Sequence, residues 1–354
     1  MISKFTISND SSIYEAWPDV VLTNSGKMIC IFTECTHHGN RDYTRLMLSE
    51  SLDKGRTWTT KHPLTEATHG VPNYNNARIS QLRDGRIVVI VDMLCSEKRS
   101  KENEECKVVM YFSNDDGASW SDRIATPIRG IVPDKFLELD NGRWIIGAHI
   151  NDQEFGNLYQ RLYYSDDQGK SWSDPIIVGR QEGLNLCEVS ILSVGKNTLV
   201  AFMRENSLDG KDCYKTISYD NGEHWSEVIR FPLPGCHRPV AGFLKDGKIM
   251  ITYRFAQGGK GWIGYYTQNF FAALTDVESA LALKRNDAWT RIMPLDFDRS
   301  AVSDTGYSGW VQFEDGEIYV VNYIVDDAGD KGQIRGVSFS PDEFFGKNHK
   351  ACRK

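Results

Sequence analysis

Apolar and polar positions along this chain fall into paired short runs, each pair hinged on a turn. VVLTNSGKMICIF, ISQLRDGRIVVIV, FLELDNGRWIIGA, SILSVGKNTLVAF, AGFLKDGKIMITY and WVQFEDGEIYVVNY all read as strand, turn, strand. The turn glycines are Gly26, Gly85, Gly142, Gly195, Gly247 and Gly316. Asp-Gly or Asn-Gly turns between β-rich runs are strong hairpin signals, because Gly takes positive φ without a steric cost. A third run follows the hairpin (RLMLSES, KVVMYFS, RLYYS, YKTISY) and leads into SLDKGRTW, SNDDGASW, SDDQGKSW or SYDNGEHW. These four boxes begin at Ser51, Ser113, Ser165 and Ser218.

Each unit therefore offers about four strands over roughly 50–60 residues, the size of one propeller blade. Six units predict an all-β, six-bladed β-propeller with four Asp-boxes. The N-terminal KFTIS is expected to supply the outer strand of the last blade and close the ring. Length alone suggests two domains, but repeat-built β folds exceed that prior as one unit, so residues 1–354 are read as a single domain. The boxes suit tight turns on the outer rim: Gly permits positive φ, Asp and Ser bond loop amides, and Trp anchors the turn. Calcium or sugar binding by their aspartates is the functional alternative. One segment departs from the pattern. In QNFFAALTDVESALALKRN (268–286), Phe270, Leu274, Val277 and Leu281 follow helical spacing, and Thr275 with Glu278 fits a capping box. This predicts a short helical insertion in the fifth blade.

Composition narrows the class. The net charge is −7 and no basic run is long enough for a nucleic-acid patch, so no nucleic-acid partner is expected. The N-terminal MISKFTISNDSS lacks an apolar leader, and no run approaches the ~18 apolar residues of a membrane span. A soluble, cytoplasmic protein is expected. Its eight cysteines show no CxxC pair, so they are read as reduced thiols. No metal spacing stands out and no cofactor is expected; a stray cation in the channel stays open.

Residues two apart share a strand face, so each turn glycine serves as a ruler. Seven positions before it stand Asp19, Arg78, Lys135, Glu188, Val240 and Gly309; nine before it stand Trp17, Asn76, Pro133, Leu186, Arg238 and Tyr307. Both rows lie at the start of the innermost strand, where blades converge on the channel mouth. Charge in these rows predicts a polar pocket there, with solvated strand ends as the plain alternative.

The pattern S-x-D-x-G-x-x-W, four times at blade spacing, resembles the Asp-box sialidases and sialidase-like proteins over nearly the whole chain. That resemblance implies a Tyr/Glu pair as nucleophile and base, an Asp as acid/base, and three arginines on a substrate carboxylate. DTGYSGWVQFEDG resembles the family's Tyr strand and places the nucleophile at Tyr307. CEVSILSVGKNTLVAFMR resembles its Glu strand, placing the base at Glu188 and one arginine at Arg204. FTECTHHGNRDYTRLML resembles the acid/base loop, with Asp42 at the matching place and His38 beside it. Tyr suits an anionic sugar, since a carboxylate nucleophile would repel the substrate carboxylate. Asp42 must be protonated to assist departure of the leaving group, so partial burial is expected to raise its pKa. Singly, each residue also has a structural reading: Tyr307 as a packing aromatic, Glu188 as an ion-pair partner of Arg204, Asp42 as a loop cap.

Two departures from the family stand out. EAWPDVV carries Ala16 where the first arginine belongs, and GGKGWIGYY offers no third arginine. Arg238 and Arg78, entering from other blades, are expected to hold the carboxylate instead, with Trp17, Asp19 and His38 as further ligand-facing groups. The leading expectation is a retaining exo-glycosidase releasing a terminal acidic sugar, with a glycan as substrate. The alternatives are a lyase or His-dependent glycosidase on uronate-containing glycans, drawing on His38, His149 or His237, and a sugar-binding propeller without catalysis.

Overall fold

The computed structural model describes residues 2–95, 107–257, 267–326 and 329–342. Six antiparallel sheets follow one another as blades, five of four strands and the first of five. The inner strands are Tyr14–Leu22, Asn73–Gln81, Leu137–Glu138, Leu186–Gly195, Cys236–Phe243 and Thr305–Gln312. The second strands, Met28–His37, Ile87–Leu94, Trp144–Asn151, Thr198–Glu205, Ile249–Gln257 and Ile318–Ile324, are nearly all apolar and buried. Strands covered on both faces lose the alternation of a half-exposed strand.

The ring closes as the N-terminal run predicts. Ser3–Ser8 pairs antiparallel with Gln333–Phe339 and becomes the outer strand of blade 6. Apolar side chains fill the seam between blades 6 and 1. Phe32, Val321 and Ile334 are fully enclosed there, and burial of each contributes about 1.5–3 kcal/mol. Among the described residues no helix is long and apolar enough to cross a membrane.

The boxes lie at the hairpin-turn end of the blades, as the pairing of Ser51 with Met28, Ser113 with Ile87 and Ser165 with Trp144 requires. All four use the same bonds. In the second, Ser113 Oγ donates to Asp115 Oδ1 (2.8 Å) and accepts from Gly117 N (2.8 Å), while Ser119 N donates to Asp115 Oδ1 (2.8 Å). The box glycine presses on the preceding blade: a Cβ on Gly55 would meet the Tyr319 ring at 2.2 Å, and one on Gly117 would meet Ile29 at 2.6 Å. The boxes are thus clamps between blades. Ser113→Ala, which leaves the Gly117 amide without its acceptor, is expected to cost about 1–3 kcal/mol in urea unfolding.

Two expectations need correction. Of residues 268–286, the first part is not helix: Thr267–Thr275 is the third strand of blade 5. Helix covers only Val277–Leu281, capped by Asp276 accepting from Ser279 N (2.7 Å), with Arg285–Asp287 as a 3-10 turn. Phe270 and Leu274 sit in a strand buried on both faces, and such a run matches a helical period by chance. The thiols are mixed as well. Cys30, Cys35, Cys187, Cys213 and Cys236 are free and buried, but Cys95 is disulfide-bonded.

Candidate active site

The inner strands enter the channel through a shared irregularity. Their ladders shift register at Ala16/Asp19, Tyr74/Ala77, Cys187/Val189, His237/Val240 and Gly306/Gly309. At these breaks Trp17 (φ 54°), Glu188 (46°), Arg238 (53°) and Tyr307 (54°) are left-handed, and Val132 (51°) does the same in blade 3. Positive φ is an outlier for bulky side chains and clusters at functional sites. In blades 1, 4, 5 and 6 the bulge re-aims the left-handed residue's side chain.

The ruler itself needs one correction. Five turn glycines have φ of 83–92°, but Gly195 does not; in blade 4 the left-handed turn residue is Asn197 (φ 62°), and Asn tolerates that conformation. Measured from Asn197, Glu188 falls nine positions before the turn, in the ring of Trp17, Asn76, Pro133, Arg238 and Tyr307. On the second strands, seven positions after the turn residue, stand Thr33, Asp92, His149, Arg204, Arg254 and Tyr323. These twelve residues form two rings at one end of the channel.

The two rings bring the Tyr and the Glu together. Tyr307 donates its hydroxyl proton to Glu188 Oε1 in a short hydrogen bond. Arg204 Nη1 donates to both Glu188 oxygens, at 2.8 and 2.9 Å. The guanidinium of Arg254 lies 4.8 Å from the centre of the Tyr307 ring and that of Arg238 5.7 Å. Burial would raise Glu188, but Arg204, Arg254 and the Tyr307 bond outweigh it and hold the carboxyl well below its usual range. Burial, with Glu188 adding to it, pushes the Tyr307 phenol up. At neutral pH the pair is a neutral phenol against an ionised carboxylate, which can take the phenol's proton.

Blade 1 contributes a second cluster. Asp304, three residues before Tyr307, accepts from Tyr14 OH at Oδ2 (2.5 Å) and from Tyr323 OH at Oδ1 (2.6 Å). Its Oδ2 is also in a short hydrogen bond with His38 Nδ1. The His38 ring stands edge-on to Trp17, 5.2 Å between centres. Arg41 lies 4.2 Å over Trp17 and donates to Asn75 Oδ1. Ala16 is buried and pairs with Thr33, while Arg41, on the strand Asn40–Ser51, brings a cation to this side of the ring.

Several expected site residues are enclosed or lie off the two rings. Arg78 and Asp19 are enclosed in the channel below the rings, not at its mouth. Arg78 Nε faces Asp19 Oδ2 at 3.5 Å, Arg78 Nη1 donates to Ser308 O, and Lys135 Nζ reaches Asp19 Oδ1 at 3.2 Å. Burial pulls Arg78 down to about 10. Lys135 ends in a cavity of about 680 Å³ at the opposite mouth, lined also by Val20, Ile79 and Val311. Arg238 is fully buried and bridges blades, donating from Nη2 to Asn76 Oδ1 (3.0 Å) and Pro133 O (2.7 Å). Asp42 is exposed, without the expected burial. His149 is buried, pushed down to about 4 mainly by that burial, and its Nδ1 accepts from Glu188 N (3.4 Å). His237 is buried too.

Arg254 and Asp304 fall outside the two rows that the turn glycines mark. Arg254 has a usable signal: it pairs with His237 as Arg204 pairs with Cys187, a match concealed by the misplaced turn in blade 4. GGKGWIGYY (258–266) lies outside the described residues. Among the described residues no group of three His, Cys, Asp or Glu is placed to hold a metal ion.

The chain is similar to known proteins in sequence and in fold. The family model for the BNR repeat-like domain matches residues 72–320. A sialidase of Clostridium perfringens is 26% identical over 272 residues, covering 66% of this chain and 68% of that protein. An anhydrosialidase of Macrobdella decora is 33% identical over 240 residues, covering 52% of this chain and 30% of that longer protein. In fold, a protein of unknown function from Dyadobacter fermentans superposes with a TM-score of 0.74 at 19% identity, over 95% of this chain and 98% of that one.

Proposed function

We propose that this chain, which belongs to the BNR-repeat, sialidase-like superfamily, is a retaining exo-glycosidase that releases a terminal acidic sugar, sialic acid or a related acid. The observation that carries this reading is the Tyr307–Glu188 hydrogen bond, made between blades 6 and 4 at left-handed positions. Tyr307 Oη attacks the anomeric carbon while its proton passes to Glu188. The bond to the leaving oxygen breaks, and that oxygen takes a proton from an acid in the first-blade loop. Water then attacks the same carbon and gives a proton back to the deprotonated loop group, the C–O bond to Tyr307 breaks, and Glu188 returns the proton to Tyr307. Two inversions give net retention.

An acidic substrate is supported by the cations around Tyr307. Nε of Arg204, Nε and Nη1 of Arg238 and Nε of Arg254 are buried without a hydrogen-bond acceptor among the described residues. Buried donors of this kind are costly to leave unmade, and a carboxylate near Arg204 and Arg254 would accept from them in charge-assisted bonds. Arg238, enclosed under Tyr307, supports the ring from below. Arg254→Ala is expected to raise KM for an acidic glycoside by about 10–100-fold, from the ~1.5–3 kcal/mol of a hydrogen bond to a charged group. KM for a neutral glycoside should move far less, and equal losses on both would count against a carboxylate grip.

The lyase reading is less well supported, because Tyr307 is bonded to Glu188 and both His149 and His237 are enclosed. A panel of fluorogenic acidic glycosides and polyuronates separates the classes. Fluorophore release with retained anomeric configuration is expected. An unsaturated product would favour the lyase, and binding without turnover a lectin-like propeller.

A further inference from the structure

We infer that His38, in the hairpin turn of blade 1 and oriented by Asp304, is the general acid/base of this site, in place of Asp42 on the strand that follows the turn. The inference rests on the glycosidase reading above and names its missing proton donor.

Asp304 is built as an anchor. Its side chain is only 15% exposed, and its oxygens accept from Tyr14, Tyr323 and His38, with Arg254 Nη1 at 3.7 Å from Oδ1. Burial pushes its carboxyl up, but His38, Arg254 and Tyr14 prevail and hold it at about 2. A buried, ionised carboxylate on one imidazole nitrogen fixes both the ring and its tautomer. That leaves Nε2 of His38 as the nitrogen without a partner among the described residues, on a side chain 40% exposed to the channel mouth.

The position fits the nucleophile. Asp304 and Tyr307 share one strand entry, Tyr323 bonds Asp304 and lies 6.2 Å from the Tyr307 ring, and Trp17 touches both Tyr323 and His38. Asp42, by contrast, is exposed, and among the described residues no group donates to its carboxylate. In the first step protonated His38 gives its Nε2 proton to the leaving oxygen as the glycosidic bond breaks. In the second, neutral His38 takes a proton from the attacking water. Asp304 is a positioning residue and keeps its charge throughout.

The test compares kcat/KM, which reports the first step, on two leaving groups. The 4-methylumbelliferyl and methyl glycosides of N-acetylneuraminic acid and of 3-deoxy-octulosonic acid serve as probes with the full chain. The aryl oxygen departs without protonation and the methyl oxygen does not. His38→Gln should lose at least about 100-fold on the methyl glycoside and less than about tenfold on the aryl one. Asp304→Asn should show the same split, smaller, with a displaced pH limb. Equal losses on both substrates overturn the assignment while leaving the glycosidase reading intact, and so does the leaving-group split appearing in Asp42→Asn. No release from either probe by the unaltered protein overturns the glycosidase reading, and the dyad with it.

Discussion

Tyr307→Phe is expected to lower release of an acidic sugar by at least about a thousandfold, the scale on which a nucleophile and its proton transfer matter together. The substitution removes one oxygen and keeps the ring, so the packing against Tyr323 and Arg254 survives. Binding of the substrate should persist, since the arginines remain. Steady-state kcat and the KM of the residual activity check both halves. The loss should fall on kcat. A variant that keeps more than a tenth of its kcat would mean that Tyr307 only packs.

The second large effect is on stability. Arg204→Met should destabilise the fold by about 3–5 kcal/mol, the penalty for breaking a buried pair and stranding one charge. Glu188 would keep Tyr307 and the more distant Arg254 but lose both bonds from Arg204. The sign with pH follows from the depressed carboxyl. In the unaltered protein Glu188 contributes stability above the ordinary carboxylate range, and this is lost as pH falls through its folded value. In the variant the carboxyl rises instead, because burial is no longer outweighed, and protonation relieves the stranded charge. The difference between the two proteins should therefore be largest near about pH 7 and shrink toward about pH 4. Urea unfolding at both pH values measures it; a difference independent of pH would assign the loss to packing.

Blade count is legible in the chain because the hairpin turns repeat at a regular spacing, and ring closure because an unpaired β-rich run opens the chain; the Tyr/Glu pairing is implied by the family resemblance of its two strands and not by the spacing. Gly26, Gly85, Gly142, Gly247 and Gly316 measure the inner strands correctly, as each holds the left-handed turn position. Gly195 misleads, since Asn197 two residues on does that work. The slip set Glu188 beside Asp19 and Arg78, and it obscured the equivalence of Arg254 with Arg204. Asp19 and Arg78 themselves look like ligand groups on a strand face, yet depth along the channel decides their role, and residue spacing on a single strand does not report which ring meets solvent. Asp304 carries no local signal, for its partners Tyr14 and His38 come from the other end of the chain. Residues 268–275 mislead for another reason: a strand buried on both faces has no period of its own.

The central claim, that Tyr307 becomes covalently bonded to the substrate, is tested most directly by trapping. A 2,3-difluoro derivative of an acidic sugar loses fluoride from the anomeric carbon as the nucleophile attacks, while the second fluorine slows hydrolysis of the adduct. Peptide mass mapping after incubation should find one adduct, on the peptide bearing Tyr307, and none in Tyr307→Phe. Fluoride release without any adduct, or an adduct on another residue, would contradict the account.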